Sequence, residues 1–321
     1  MQKIFSYILV KKLFFYQLFR QGYSIRRFIF VGFFFFRKGW LTKQGTSEIS
    51  NLIVNVFNPL LMISTALSGS GSIPQNLMAQ NLILMALFYG LMILLGPVVA
   101  KLLRVQGNDR KLVTIMLVFA NTAFMGIPLV ESLYGSEETF YITFYALGFN
   151  LLFYTYAIQV FKRMSGDKSP FRFKDLVNPG IICVLLAMIL VLFPIHLPEI
   201  TVKCITYVSD TCIPLSMIIT GCALAQINLK RVFTDVRLYV FSLFQLLLIP
   251  AAAALVLHRS DGMGFDSTLV GIFILLYGMP NGSMPVIACE SFDVDADLCS
   301  RGYALTTLLS LFTIPFVTMF V

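Results

Sequence analysis

Apolar residues run along this chain in blocks of about twenty, separated by short polar connections, and that block length is what a helix needs to cross a bilayer. Nine blocks predict helices over about 50–68, 79–100, 111–133, 139–161, 179–196, 201–225, 236–257, 267–290 and 297–321. Upstream, the apolar run 28–36 is short and bracketed by Arg26-Arg27 and Arg37-Lys38, while Ile4–Phe19 is cut by Lys11-Lys12. A tenth helix, less well defined, is expected within 4–36. The pattern then divides into a first set of five helices (1–161), a basic loop (162–178) containing Gly166 and Pro170, and a second set of five (179–321). No cleavage site of small residues follows the early apolar runs, so a secretory leader is not expected.

One phrase occurs twice. Asn55-Val56-Phe57-Asn58-Pro59-Leu60-Leu61-Met62-Ile63-Ser64-Thr65 returns as Asp210-Thr211-Cys212-Ile213-Pro214-Leu215-Ser216-Met217-Ile218-Ile219-Thr220, with Pro, Leu, Met, Ile and Thr at a constant offset of 155 residues. A duplicated membrane domain with proline-interrupted helices at matching places is the pattern of a secondary transporter. Because each half holds an odd number of helices, the second half must run opposite to the first, giving an inverted repeat about an axis in the membrane plane.

Each half carries a second interrupted stretch: Phe119-Ala120-Asn121-Thr122-Ala123-Phe124-Met125-Gly126-Ile127-Pro128, and Tyr277-Gly278-Met279-Pro280-Asn281-Gly282-Ser283-Met284-Pro285. Proline removes a backbone donor and crowds the preceding turn, and glycine lowers helix preference further. The backbone groups so freed are tolerated at membrane depth only where they line a protein-enclosed, hydrated cavity. Half-helix N-termini would turn partial positive charge toward a bound anion, and Asn121 and Asn281 each add a donor and an acceptor. An ordinary proline kink is the other reading; the corresponding placement in both halves supports a transport site. Asp210 is the one carboxylate well inside a block. It is open to two readings, a proton or sodium relay and an acid that caps a broken helix; Asn55, its counterpart, supports the structural one. Asn150, Thr155 and Gln159 are expected to bond between helices.

Composition agrees. Hydrophobic residues make up 58% and charged residues 12%, and mean hydropathy is +0.83, which leaves too little polar surface to cover a soluble body. The net charge of +8 does not point to nucleic acid, because Lys and Arg sit in short loops: Lys101, Arg104, Arg110 and Lys111; Lys162, Arg163, Lys168, Arg172 and Lys174; Lys230, Arg231 and Arg237. Those loops are assigned to the cytoplasm, which puts both termini outside. The acidic stretch Glu290–Asp297 would also be cytoplasmic, with Arg301 nearby. The six Cys form no Cys-x-x-Cys pair and read as small buried apolar residues. No cofactor, metal or nucleic-acid partner is expected. Zinc-protease, phosphate-loop and nucleophile-elbow motifs are absent from the sequence. An ion gradient, of protons or sodium, is therefore the expected energy source.

Several ordered motifs resemble a known family. Asn121-Thr-Ala-Phe-Met-Gly-Ile-Pro-Leu-Val130 with Leu133-Tyr-Gly135 is similar to the fourth helix of short, bacterial-type members of the auxin efflux carrier family. Asp210-Thr-Cys-Ile-Pro-Leu-Ser-Met-Ile-Ile-Thr-Gly221 resembles the seventh, and Met279-Pro280 and Thr306-Thr-Leu-Leu-Ser-Leu-Phe-Thr-Ile-Pro315 the ninth and tenth. Arg37-Lys-Gly-Trp-Leu-Thr42 resembles the junction after the first helix, so the similarity covers about 37–321. The resemblance implies an all-α membrane protein of about ten helices, with helices 1, 2, 6 and 7 as a scaffold and 3–5 and 8–10 as a mobile domain. Helices 4 and 9 would cross at their unwound prolines beside the substrate, as in sodium/proton antiporters. The implied site residues are Asn121, Gly126, Pro128, Pro280, Asn281 and Pro285; Asp210, Asn55, Pro59 and Pro214 are candidates for coupling or scaffold roles. The implied activity is alternating-access transport of small organic anions such as malate, malonate, lactate or auxin-like acids. An ion-coupled bile-acid-type symporter or a cation/proton antiporter on the same fold is the alternative. The short central loop fits a bacterial plasma-membrane permease, and a scaffold face leaves a homodimer open. The helix 9 motif departs from many relatives in carrying Asn281-Gly282 where a small-residue run precedes the Asn.

Overall fold

The computed structural model describes residues 27–69, 74–135, 137–166, 179–193, 197–227, 229–259 and 264–320. Among these, the chain is helical apart from turns and one isolated antiparallel bridge, Ala120 with Asn281. Five stretches are long and apolar enough to cross a membrane: Lys43–Leu67, Gln75–Leu102, Glu137–Met164, Glu199–Gln226 and Val236–Leu257. Ile181–Leu190 and Ser267–Tyr277 are shorter apolar helices. The expected tenth helix is represented by α1, which covers 27–37; the remainder of 4–36 lies outside the described residues, as does most of the loop 162–178.

The helix after α1 starts earlier than the apolar block. α2 (Lys43–Leu52) begins where the Thr42 hydroxyl accepts from the Gly45 amide at 3.1 Å, a side-chain cap that hydropathy does not register. It passes through a π turn, Ile53–Phe57, into α3 (Asn58–Gly69). Pro59 supplies the cause: it has no N–H for the carbonyl of Asn55 four residues back. The ladder widens instead, and the Asn58 amide bonds the Ile53 carbonyl five residues back. α4 is Gln75–Leu102, α5 Gly107–Val118 and α6 Gly126–Tyr134. α7 (Phe140–Leu152) continues through a π turn at Phe153–Ala157 into α8 (Ile158–Met164).

In the second half, α9 covers Pro179–Leu192, α10 Glu199–Ser209 and α11 Cys212–Gln226. The repeated phrase has a different outcome here. Ahead of Pro214 the helix stops outright at Asp210 and Thr211, although the proline again stands four residues after the polar position. α12 (Leu229–Thr234) is short; α13 (Val236–Leu243) runs through a π turn, Phe244–Leu248, into α14 (Ile249–Arg259). α15 (Ser267–Tyr277), α16 (Met284–Ser291) and α17 (Asp297–Val317) complete the order.

Packing is densest within two groups of helices, which are joined where α7 touches both α3 and α9. α3 lies against α9 and α10. α1 meets α11 backbone to backbone: a Cβ on Gly32 would fall on the Ile218 carbonyl, one on Gly221 on the Ile29 carbonyl, and the Cys222 thiol donates to the Gly32 carbonyl at 3.2 Å. Small residues allow this approach, which apolar packing in a bilayer rewards. In the other group α4 runs beside α5, α7 and α15, and α17 beside α5 and α13. Buried polar side chains stitch it together: Asn81 donates to the Tyr141 carbonyl at 3.0 Å and Tyr89 to the Tyr145 carbonyl at 2.7 Å. Around them Phe88 packs on Tyr145 and Tyr277 with ring centroids 5.5 and 4.5 Å apart. At one end Arg301 bonds both Asp235 and Asp297 at 2.8 Å, so the start of α17 is tied to the start of α13 there. On the outside, Phe30, Leu94, Ile200, Leu255 and Phe312 are 64–73% exposed, a surface suited to lipid rather than water.

Replacing Gly221 with Leu is expected to lower stability by about 3 kcal/mol or more, since backbone cannot yield as a side chain does. Gly90→Ala, where a Cβ meets nothing within 4 Å, should be neutral or slightly stabilising. Thermal unfolding of the full chain in detergent checks both.

Candidate functional site

The two interrupted stretches meet. α5 ends at Val118 and α6 begins at Gly126; α15 ends at Tyr277 and α16 begins at Met284. Between these ends the chain leaves the helix, turning at Thr122–Met125 and Gly278, and the segments meet in one antiparallel bridge: the Asn121 amide donates to the Pro280 carbonyl at 2.8 Å, and the Gly282 amide to the Phe119 carbonyl at 3.0 Å. Other groups freed by the breaks are satisfied from neighbouring helices. Gln245 Nε2 donates to the Met279 carbonyl at 3.0 Å, and the Asn281 amide donates to Thr306 Oγ1 at 3.1 Å, itself bonded to the Gly302 carbonyl. Glycine is required at 282, where a Cβ would stand 2.9 Å from the Phe119 oxygen.

Against this crossing lies a cavity with about 50 Å³ open to the centres of water-sized spheres. A single water needs roughly 10–15 Å³ on that measure, so the space holds several waters or one small polar molecule. Its walls come from α3 (Asn58, Met62), the first break (Asn121, Thr122, Ala123, Phe124), α7 and its π turn (Phe149, Asn150, Tyr154), and the start of α16 (Gly282, Ser283, Met284). The polar groups in the wall, Asn58, Asn121, Thr122, Asn150, Tyr154 and Ser283, are all neutral. The α16 N-terminus adds direction: Ser283 precedes its first turn without a side-chain cap bond. Pro285 has no N–H and the Val286 and Ile287 amides bond the Ser283 carbonyl, but the Met284 amide at the helix start has no acceptor within the helix. Such a wall suits an anion held by dipoles and donors rather than by a counter-charge.

Of the expected site residues, Asn121 is buried in this wall at 7% exposure. Asn281 is not in it. Antiparallel partners share a face and neighbours alternate, so pairing Asn281 with Ala120 sends the two Asn side chains to opposite sides. Asn281 turns toward α17, its Nδ2 3.3 Å from where a Cβ on Gly302 would stand, and both of its amide atoms are buried without a hydrogen-bond partner. Pro280 contributes its carbonyl to the crossing. Pro128 and Pro285 lie in the first turns of α6 and α16, where a missing N–H costs nothing. Gly126 gives α6 its close approach to Leu276, 2.8 Å from the position of a Cβ. Asp210, Asn55, Pro59 and Pro214 lie outside the cavity wall. Asp210 is exposed at the break between α10 and α11, and Asn55 donates to the Asn51 carbonyl at 2.9 Å in its own helix.

Asn58, Thr122, Asn150, Tyr154 and Ser283 were not marked as site residues by the sequence reading. Thr122 and Ser283 stand within the two interrupted stretches, and Asn58 is a polar residue within the repeated phrase where the second copy has Ile213; Asn150 and Tyr154 carry no such signal. The expected inter-helix bonds also need correction. Asn150 donates to the Ala146 carbonyl at 2.8 Å and Thr155 to the Leu151 carbonyl at 2.5 Å, both within one helix, because the carbonyl four residues back is the nearest acceptor. The Gln159 amide nitrogen is buried without a partner.

A family model described as membrane transport protein matches residues 25–318. An uncharacterized transporter of Methanocaldococcus jannaschii is 26% identical over 297 residues, covering 89% of this chain and 93% of the relative. A second, from Methanothermobacter thermautotrophicus, is 25% identical over 296 residues, covering 91% and 94%. Both relatives are archaeal, so the similarity reaches beyond the bacterial type that the short loops suggested.

Gly282→Ala is expected to push the two segments apart, lengthen the bond to the Phe119 carbonyl and lower stability by about 1–3 kcal/mol. The thermal unfolding midpoint of the purified variant against the parent measures this.

Proposed function

We propose that this chain, which belongs to the membrane transport protein family known for its auxin efflux carriers, is a secondary permease for small carboxylates. An integral membrane protein of transporter type is what family membership and the apolar helices establish. The observation that carries the finer reading is the cavity at the crossing of the two broken helices. Its wall of neutral donors and its position beside the uncapped start of α16 suit a carboxylate. Asn121 is assigned the main side-chain contact. The amides around Ser283 and Met284 and the space secured by Gly126, Pro128 and Pro285 complete the pocket, while Pro280 and Asn281 hold the crossing itself.

The proposed architecture is ten membrane helices in two inverted sets of five. Supporting it are the order of described helices, the crossing of α5–α6 with α15–α16, and the two packing groups. α1 to α3 with α9 to α11 would form the scaffold; α4 to α8 with α13 to α17 would move against it, exposing the cavity to one side and then the other. Coupling is assigned to a proton or sodium gradient, with Asp210 as the candidate group; its place at the helix break equally suits a part in scaffold structure. Symport of bile-acid type or cation/proton exchange draws less support, since no carboxylate lines the cavity among the described residues.

Uptake of labelled malate and labelled lactate into proteoliposomes, with a proton gradient imposed or collapsed, tests the reading. Accumulation that follows the gradient is expected, and Asn121→Ala should cut it roughly tenfold or more, the equivalent of one hydrogen bond to a charged group, with insertion unchanged. Full uptake by that variant would remove Asn121 from the binding role; no uptake of either acid by folded parent protein would remove this substrate class.

A further inference from the structure

We propose that Asn58 is a second ligand of the transported anion, supplied from α3, so that the substrate is held between the two helix groups by asparagine side chains of the first half alone. The inference rests on the carboxylate reading of the cavity. Asn58 is half-buried in the cavity wall that Asn121 also lines, and its Oδ1 is buried with no hydrogen-bond partner. A buried amide oxygen without a partner is costly and calls for an occupant. The Asn side chain can turn its donor end to the same place, because Oδ1 and Nδ2 exchange by a half-turn of the terminal torsion. An anion in the cavity would therefore draw the Nδ2 donors of both Asn58 and Asn121.

The repeated phrase sharpens the point. Position 58 of the first copy matches Ile213 of the second, whereas Pro59 and Pro214, and Met62 and Met217, are the same residue. Met62 lines the cavity beside Asn58, one turn further along α3, and Met217 is fully buried without facing it. The second half thus keeps the shape of the phrase without its polar contact. The crossing is biased the same way: Asn121 lines the cavity, and the residue that makes the matching bond from the second segment, to Phe119 as Asn121 does to Pro280, is Gly282. Both departures from repeat symmetry remove polar side chains from the second-half equivalent of the site. Because Asn58 and Asn121 belong to different packing groups, their joint grip is made only at one relative position of those groups. Movement of one group against the other breaks one half of the grip, which gives Asn58 a role in release as well as affinity.

The test compares parent protein with Asn58→Leu, Asn58→Asp, Asn58→Gln and Ile213→Asn, using whichever of labelled lactate or malate the parent accumulates. Asn58→Leu and Asn58→Asp should raise the KM for uptake at least tenfold, Asn58→Gln should restore most of the loss, and Ile213→Asn should leave KM unchanged. Thermal unfolding supplies a readout independent of turnover: millimolar substrate should stabilise the parent and Asn58→Gln, and fail to stabilise Asn58→Asp. If Asn58→Leu does not fold, the isosteric Asp and the Gln variants still decide. Unchanged KM in Asn58→Asp with a transporting parent overturns the role of Asn58 and leaves the permease reading intact. A parent that neither transports nor is stabilised by either acid overturns both.

Discussion

A backbone N–H or C=O exposed to hydrocarbon has no water to turn to, and two helices of this protein are broken in the apolar interior. Each break supplies what the other lacks. The two bonds between residues 119–121 and 280–282 pair the two segments with one another, and Gln245 and Thr306 take up groups the segments cannot pair themselves. Neither break would be stable alone, so the crossing forms as a unit. That makes the helices behind it, α13 and its π turn on one side and α17 on the other, part of the site although no substrate would touch them.

The same pairing decides which side chains face the cavity. An antiparallel bridge allows only alternation, so once Ala120 opposes Asn281 the two asparagines cannot look the same way. Two Asn in matching motifs read naturally as a symmetric clamp; the register makes them unlike. One is left for the cavity and the other is enclosed against α17, where both ends of its amide lack a partner. A polar group enclosed at such cost is a constraint on how closely α17 and the crossing can pack. On the proposed mechanism it favours their moving together.

The breaks themselves were legible because their causes are local. Gly278, Pro280, Gly282 and Pro285 within nine residues leave no helix, and Gly126 and Pro128 restart one in the first half. The outer helices were equally visible, as lipid requires continuous apolar runs. Less visible was the start of α2, whose first turns, Lys43–Ser50, are polar and depend on the Thr42 cap. The repeated phrase could not announce that one proline would be absorbed by a π turn and the other by a full stop, because both outcomes satisfy the same missing donor. Cavity lining was the hardest to read. Asn150 and Tyr154 take their place from the π turn and packing of α7, which no spacing in the sequence encodes.

On the proposed inverted-repeat architecture, a duplicated fold would tend to make two sites, one on each side of its pseudo-axis, and a permease would need its substrate to commit to one. Under that proposal two differences between the halves would break the degeneracy, Asn58 against Ile213 and Asn121 against Gly282. Both act by removing a polar side chain rather than by reshaping the backbone; at Gly282 the small residue is also what the crossing needs for close approach. The halves can therefore retain the shared geometry that opposed half-motions require while differing in polarity. On the proposed mechanism, shape symmetry would serve the movement and chemical asymmetry the binding.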